Sequence, residues 1–162
     1  MSKVDELAAR LKQKQDSWAK EDISADKAIE LWPTQVYEMY HQIETWLIPL
    51  SEVGLSIRRV PTRVFESHRS GATFNYAIDQ LLIEGNHKSI LLDPIARFTS
   101  EGSGRVEIHG IGPQRHMLRN SDDHGEGHWL IQAAQASAKT RPAPLALNED
   151  ALLSVIQEGL EL

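Results

Sequence analysis

The sequence contains no cysteine. That absence excludes disulfide bonds, thiolate nucleophiles and zinc sites built on cysteine ligands. The chain also has no apolar run near the roughly 20 residues that a membrane-spanning helix needs, and its first residues lack the basic and apolar regions of a signal peptide. We therefore expect a soluble, cytoplasmic protein that makes no contact with a membrane.

Positive charge is the second shortage. The 162 residues include 17 Lys and Arg against 23 Asp and Glu, a formal net charge of −6. Such a balance disfavours general binding to a phosphate backbone, so a nucleic-acid partner is not expected. The remaining composition, 41% apolar and 25% charged, is that of a chain that folds around a core.

Recognisable catalytic motifs are missing as well. The glycines of residues 102–104 and 110–112 do not lead into a helix, so neither group forms a phosphate-binding loop or a dinucleotide fingerprint. No serine stands in a nucleophile-elbow context, and no set of residues is spaced to act together as acid, base and oxyanion donor. These absences favour a non-catalytic protein without a cofactor. An active site assembled from distant residues is the alternative.

A heptad pattern over residues 4–50 is the strongest positive signal. Every seventh residue from the fourth position is apolar, and a second row four residues later is apolar at five of seven positions. Two such rows predict one apolar stripe along a helix, with Ser2 and Asp5 forming a capping box at its start. The first row is Val4, Leu11, Trp18, Ala25, Trp32, Met39 and Trp46.

Two features leave the continuity of this helix open. Residues 22–24 would cap a new helix, and Pro33 removes a backbone hydrogen bond inside the pattern. An unbroken helix of 47 residues would be about 70 Å long, whereas a break would give a helical hairpin. Either form satisfies the heptad pattern.

The stripe changes in width along its length. It is narrow and flanked by charged residues at first, and it broadens from Ile29 onward. We therefore expect residues 1–24 to form an N-terminal helix that serves as an association arm, and residues 25–162 to form a single α+β domain. Leu11 and Trp18 are candidate partner-binding residues on the arm. The alternatives are that this helix packs on its own domain or frays.

After Gly54 the apolar period becomes two, which predicts strands. Turn signals follow one another closely, including Gly85 and Asn86, and no helical segment intervenes, so an antiparallel meander of five to six strands is expected. Pro61 indicates an edge strand or a bulge. Asn148 is the predicted cap of a C-terminal helix. The fold class is thus α+β, with helices covering one face of the sheet.

Two clusters are candidates for binding. The first is basic and would contact an anionic surface, either a nucleic acid or an acidic partner, although charge on an edge strand also protects against aggregation. Its partner-binding candidates are Arg58, Arg59, Arg63 and Arg69. The second is the polar segment of residues 120–128. There Asp122, His124 and His128 are weak metal-ligand candidates, and an ordinary polar loop is the alternative.

Together these observations favour a non-catalytic intracellular protein-binding module. It would act as an adaptor, a chaperone or the neutralising partner of a toxin, through a protein partner or as a homo-oligomer joined by its N-terminal helix. The alternative is a ligand-binding or enzymatic module whose site lies on the uncovered face of the sheet, near residues 120–128.

Overall fold

A computed structural model describes residues 2–99, 104–121, 127–133 and 143–162. Helix α1 runs without interruption over Lys3–Trp46, with Pro33 inside it. Its 44 residues extend over about 66 Å. The backbone N–H of Asp5 donates to the Ser2 side-chain oxygen at 3.2 Å, as the capping box predicts. The continuous helix, rather than the helical hairpin, is therefore the form that the chain adopts.

A short helix, α2 at Ile48–Ser51, leads into an antiparallel sheet whose strands follow one another in sequence order. The meander is confirmed, with seven strands in the described part of the chain where five to six were predicted. The additional short strand pairs with the strand before it. The strands are β1 Ser56–Ser67, β2 Thr73–Gly85, β3 Lys88–Ala96, β4 Arg105–His109, β5 Arg115–Ser121, β6 Gly127–Ala133 and β7 Leu145–Ala146.

The positions of proline and of the tight turn follow from backbone chemistry. Pro61 lies in β1, which is an edge strand as predicted. The turn between β2 and β3 consists of Asn86 and His87, whose φ angles are 52° and 57°. This is one residue beyond the predicted pair, and two positive φ values are those of a type I′ hairpin turn.

Helix α3 spans Glu149–Gly159 and closes the fold. The side-chain oxygen of Asn148 accepts a hydrogen bond from the backbone N–H of Ala151 at 2.8 Å. The predicted cap is thus confirmed. One face of α3 joins α1 and the sheet in a common core, through Leu152, Val155 and Ile156.

The core lies between the sheet and the second part of α1. Trp32, Val36 and Ile43 of that helix are fully buried in it. Tyr37 and Tyr40 also fix the helix to β2, because the N–H of Asp79 donates to the Tyr37 hydroxyl at 2.9 Å and the Tyr40 hydroxyl donates to the Asp79 carbonyl at 2.8 Å.

The first part of α1 extends away from this core. Every residue from Ser2 to Lys20 is exposed except the half-buried Glu6, and Ala25 is the first buried residue of the helix. We call residues 3–20 the arm; they extend for about 27 Å. Within the described residues, no helix combines the length and the apolar character that crossing a membrane requires.

Candidate functional site

The arm carries a row of exposed apolar side chains. Leu11 is 61% exposed and Trp18 is 45% exposed, and Val4 and Leu7 are exposed to a similar or greater degree. Twelve large apolar side chains are exposed in the described part of the chain, and four of them lie on the arm. Both partner-binding candidates that the heptad pattern singled out are therefore accessible.

Leu7 belongs to the same surface and was missed by the sequence analysis. It lies three residues after Val4 and four before Leu11, so it faces the same side of the helix. Val4, Leu7, Ala8 and Leu11 together form one apolar diamond on the helix surface. A stripe drawn one position wider than the two heptad rows would have included Leu7.

The base of the arm is marked by an ion pair. Arg69, in the turn between β1 and β2, contacts Glu21 of α1 with 2.8 Å between its Nη2 and the carboxylate oxygen Oε1. The Arg69 side chain is 76% exposed, so the pair adds no more than about 1 kcal/mol to stability. It nevertheless locates the point beyond which α1 leaves the domain.

The other arginines of the basic cluster are not gathered into one patch. Arg58 pairs with Glu84 at 3.4 Å, Arg59 pairs with Glu44 at 2.9 Å, and Arg63 donates to the Asn75 side chain at 2.9 Å. Arg58 and Arg59 are consecutive in a strand and therefore point to opposite faces of the sheet. Each cation already has a neighbour within the domain, which weakens the case for a common acidic partner.

Arg59 is the most firmly placed of them. Its guanidinium lies over the rings of Tyr37 and Tyr40, at 5.2 Å and 5.7 Å from the ring centroids. The hydrogen bond that Arg59 donates to the Glu44 carboxylate holds the pKa of Arg59 above its ordinary value, against the opposing effect of burial. For the Tyr40 hydroxyl, whose charged form is the deprotonated one, burial raises the pKa. These groups connect α1 to β1 and have a structural role.

Of the three metal-ligand candidates, Asp122 and His124 lie outside the described residues. His128 lies in β6 with an exposed side chain, in register with Asn120 of β5. No group of three or more histidine or acidic side chains in the described ranges is arranged to hold a metal ion. The metal site therefore stays a prediction.

A half-buried polar cluster around Glu66 has no signal in the sequence. The Glu66 carboxylate accepts hydrogen bonds from the Tyr76 hydroxyl and from the backbone N–H groups of Arg97, at 2.9 Å, and Phe98, at 3.0 Å. Burial raises the pKa of Tyr76, and the bond to Glu66 raises it further. A carboxylate occupied by three donors is suited to holding the chain after β3 in place, and it is poorly placed to accept a proton from a substrate.

The sheet face away from α1, which we call the far face, carries a second polar group. Asp93, Glu107 and His109 alternate with buried residues of β3 and β4, so they point to this face. The His109 Nε2 lies 3.3 Å from Glu107 and 3.6 Å from Asp93, and Arg105 lies 3.7 Å from Glu107. The side chains of this group are thus each other's neighbours on the far face.

The chain matches no protein-family model, no curated protein and no solved structure. Its function is therefore argued from its own surfaces. The arm combines exposed apolar side chains with a regular spacing, whereas the arginine cluster and the far face consist of groups that already pair within the domain.

Proposed function

We propose that this chain is a non-catalytic intracellular protein-binding module that acts through its arm. The carrying observation is the exposure of Leu11 and Trp18 on a helix whose second half buries one side, including Trp32, in the domain core. Large apolar side chains grouped on one side of an exposed helix are typical of a surface that another protein covers.

The arm is also suited to binding in its conformation. An isolated helix of this length is marginal in water because its first turn is costly to nucleate. Here the arm continues a helix that the core already holds through Trp32, Val36 and Ile43, so no new nucleus is needed. Such an ordered arm avoids part of the entropy loss that a disordered segment would suffer on binding.

The chemistry of the surface restricts the kind of contact. Leu11 and Trp18 lie seven residues apart on one side of the helix, which is the spacing of an amphipathic helix that enters a hydrophobic groove or pairs with another helix. Trp18 is the expected centre of the contact, because tryptophan is enriched among residues that dominate binding energy. The roles of adaptor, chaperone and neutralising partner all use a contact of this kind.

Site-specific photo-cross-linking in the native cells tests the proposal. The full chain carries a photoreactive residue at Leu11 or, as the matched control, at Gln13. Both positions are exposed, but they lie about 200° apart around the helix. A protein that links from position 11 and not from position 13, and that is lost on Trp18→Ala, supports the proposal. Equal linking from both sides, or linking from neither, contradicts it.

A second candidate function is ligand binding or catalysis on the far face, near residues 120–128. The grouping of Asp93, Glu107 and His109 within 3.6 Å favours it. The same distances also limit it, because the carboxylates and the imidazole are already each other's partners. Replacing His109 with Gln in the full chain should leave cross-linking from position 11 unchanged under the leading proposal.

A further inference from the structure

The arm presents both a hole and a knob for helix pairing. Val4, Leu7, Ala8 and Leu11 stand at positions i, i+3, i+4 and i+7, which is the diamond that receives one side chain of a facing helix. Ala8 is small and leaves room within it. Trp18 lies on the same side of the helix, seven residues beyond Leu11. Its indole can therefore enter the diamond of another helix but not that of its own.

We infer that the arm binds the arm of a second copy of this chain in antiparallel orientation. This inference rests on the proposed function and names its partner. Trp18 of each copy fills the apolar diamond of the other, so the same contact occurs twice about a two-fold axis, as in most homodimers. In a parallel pair, Trp18 of one copy would instead face Trp18 of the other, and the two apolar diamonds would face each other.

The domain limits how far the two arms overlap. Ala25 is only 2% exposed and packs against its own domain, so a partner helix cannot extend past about residue 22. Placing Trp18 over the centre of the diamond, near residue 8, puts the two-fold axis close to residue 13. The overlap then covers residues 3–22 and is about 30 Å long.

The distribution of charge along the arm favours the antiparallel orientation. With the two-fold axis near residue 13, antiparallel arms set Arg10 of one copy beside Asp16 of the other and Glu6 beside Lys20. These attractive pairs offset the like pairs of the same register, which are Asp5 with Glu21 and Lys12 with Lys14. Parallel arms would align like charges over the whole overlap, which is unfavourable.

The size of this contact sets its expected strength. Two helices about 10 Å wide that touch over about 30 Å form an interface at the low end of the range for specific complexes. We therefore expect a dimer that dissociates on dilution. The expected molecular mass is twice the 18.2 kDa of the chain at high concentration and falls towards that of one chain as the protein is diluted.

Light scattering on full-length variants tests the pairing. Leu11→Glu places a charge in the diamond and should abolish the dimer. Gln13→Glu introduces the same residue on the opposite side and should leave the dimer intact. Both positions are exposed, so the helical circular dichroism of the monomer should be unchanged. A wild-type chain that is monomeric at all concentrations overturns the pairing, as does a dimer that survives Leu11→Glu.

Because the chain has no cysteine, single cysteine variants report the orientation directly. In the antiparallel pair the two copies of Lys12 are about 3 Å apart along the axis and those of Ala8 about 15 Å apart. Lys12 flanks the apolar stripe, so its two Cα atoms are also separated by about the 8–10 Å between the helix axes, which is too far for a direct disulfide. A short bis-maleimide reagent should therefore link Lys12→Cys into a covalent dimer and should not link Ala8→Cys. The reverse result indicates a parallel pair and overturns the inference.

These experiments distinguish a failure of the self-pairing from a failure of the proposed function. A monomeric chain whose position 11 still links to another protein in cells overturns the self-pairing and leaves the proposed function standing. A dimer that is unaffected by Leu11→Glu, in a chain that links equally from positions 11 and 13, overturns both.

Discussion

Two substitutions on the same helix should separate the core half of α1 from the arm. Ile43 has no exposed surface and belongs to the core cluster, whereas Leu11 is 61% exposed. Ile43→Ala should lower the free energy of unfolding by roughly 2–5 kcal/mol, since it removes buried methyl and methylene groups and leaves a cavity. Leu11→Ala should change it by less than about 0.5 kcal/mol, because the site is on the surface and both residues favour helix.

Urea unfolding followed by tryptophan fluorescence measures both effects. The buried Trp32, whose ring lies 5.8 Å from that of Trp129, reports the loss of the core. With a slope of roughly 1–3 kcal/mol per molar urea, a loss of about 3 kcal/mol lowers the midpoint by about 1–3 M. The protein must be dilute, so that association of the arms does not add to the stability.

The comparison has one decisive outcome. If Leu11→Ala lowers the midpoint in dilute solution as much as Ile43→Ala does, the arm is part of the folding core and our account of it is wrong. If the two differ as expected, the association assay should show the opposite order: Leu11→Ala weakens the contact between chains, and Ile43→Ala affects it only through overall stability.

Two further predictions concern the core and its response to pH. A Cβ on Gly104 would overlap the ring of Trp32, whereas Gly71, also at positive φ, has open space around it. Gly104→Ala should therefore lower the free energy of unfolding by roughly 1–3 kcal/mol more than Gly71→Ala does. Equal losses for the two variants in urea unfolding would exclude the contact between Gly104 and Trp32. Burial raises the folded-state pKa of Tyr40 above its ordinary value of 10.0. Above pH 10 the unfolded chain therefore releases this proton while the folded chain still holds it. The stability that the neutral Tyr40 hydroxyl contributes is complete below pH 10 and declines as the pH rises further. Tyr40→Phe should flatten the decline of stability above pH 10, and an unchanged slope would contradict the assignment.

The helix and its phase could be predicted from the sequence, but its continuity could not. Pro33 removes one backbone hydrogen bond and costs roughly 3 kcal/mol in a helix interior. Trp32 and Val36, on either side of it, are fully buried, and each such side chain contributes roughly 1.5–3 kcal/mol on leaving water. Burial on both sides therefore outweighs the lost bond. A local pattern does not contain this balance, because it depends on what the helix packs against.

The sheet was largely predictable because its strands pair with sequence neighbours. Register in a meander follows from turn chemistry and from the alternation of apolar residues, and the edge position of Pro61 follows from its missing donor. The strand Leu145–Ala146 was missed because two residues show no period, and its pairing to Ile131 and Leu130 is supplied by the rest of the sheet.

Contacts between distant residues were beyond the sequence analysis. Glu66 reaches the backbone of Arg97, 31 positions away, and Arg69 reaches Glu21, 48 positions away. The basic cluster looked like one surface because its members are neighbours in the chain. A strand sends neighbours to opposite faces and each face offers different partners, so proximity in the sequence does not by itself define a shared site.

The unbroken phase of α1 connects these results. The heptad row that places Trp32 in the core continues through residues 22–24 and brings Trp18 and Leu11 to the same side of the helix. The direction in which the arm presents its apolar diamond is therefore fixed by the packing of Trp32, Val36 and Ile43 on the sheet. A hinge between the two halves would leave that direction free, and a partner would then have to overcome the entropy of orienting the arm. The rigid connection is what lets so short an apolar surface serve as a specific contact.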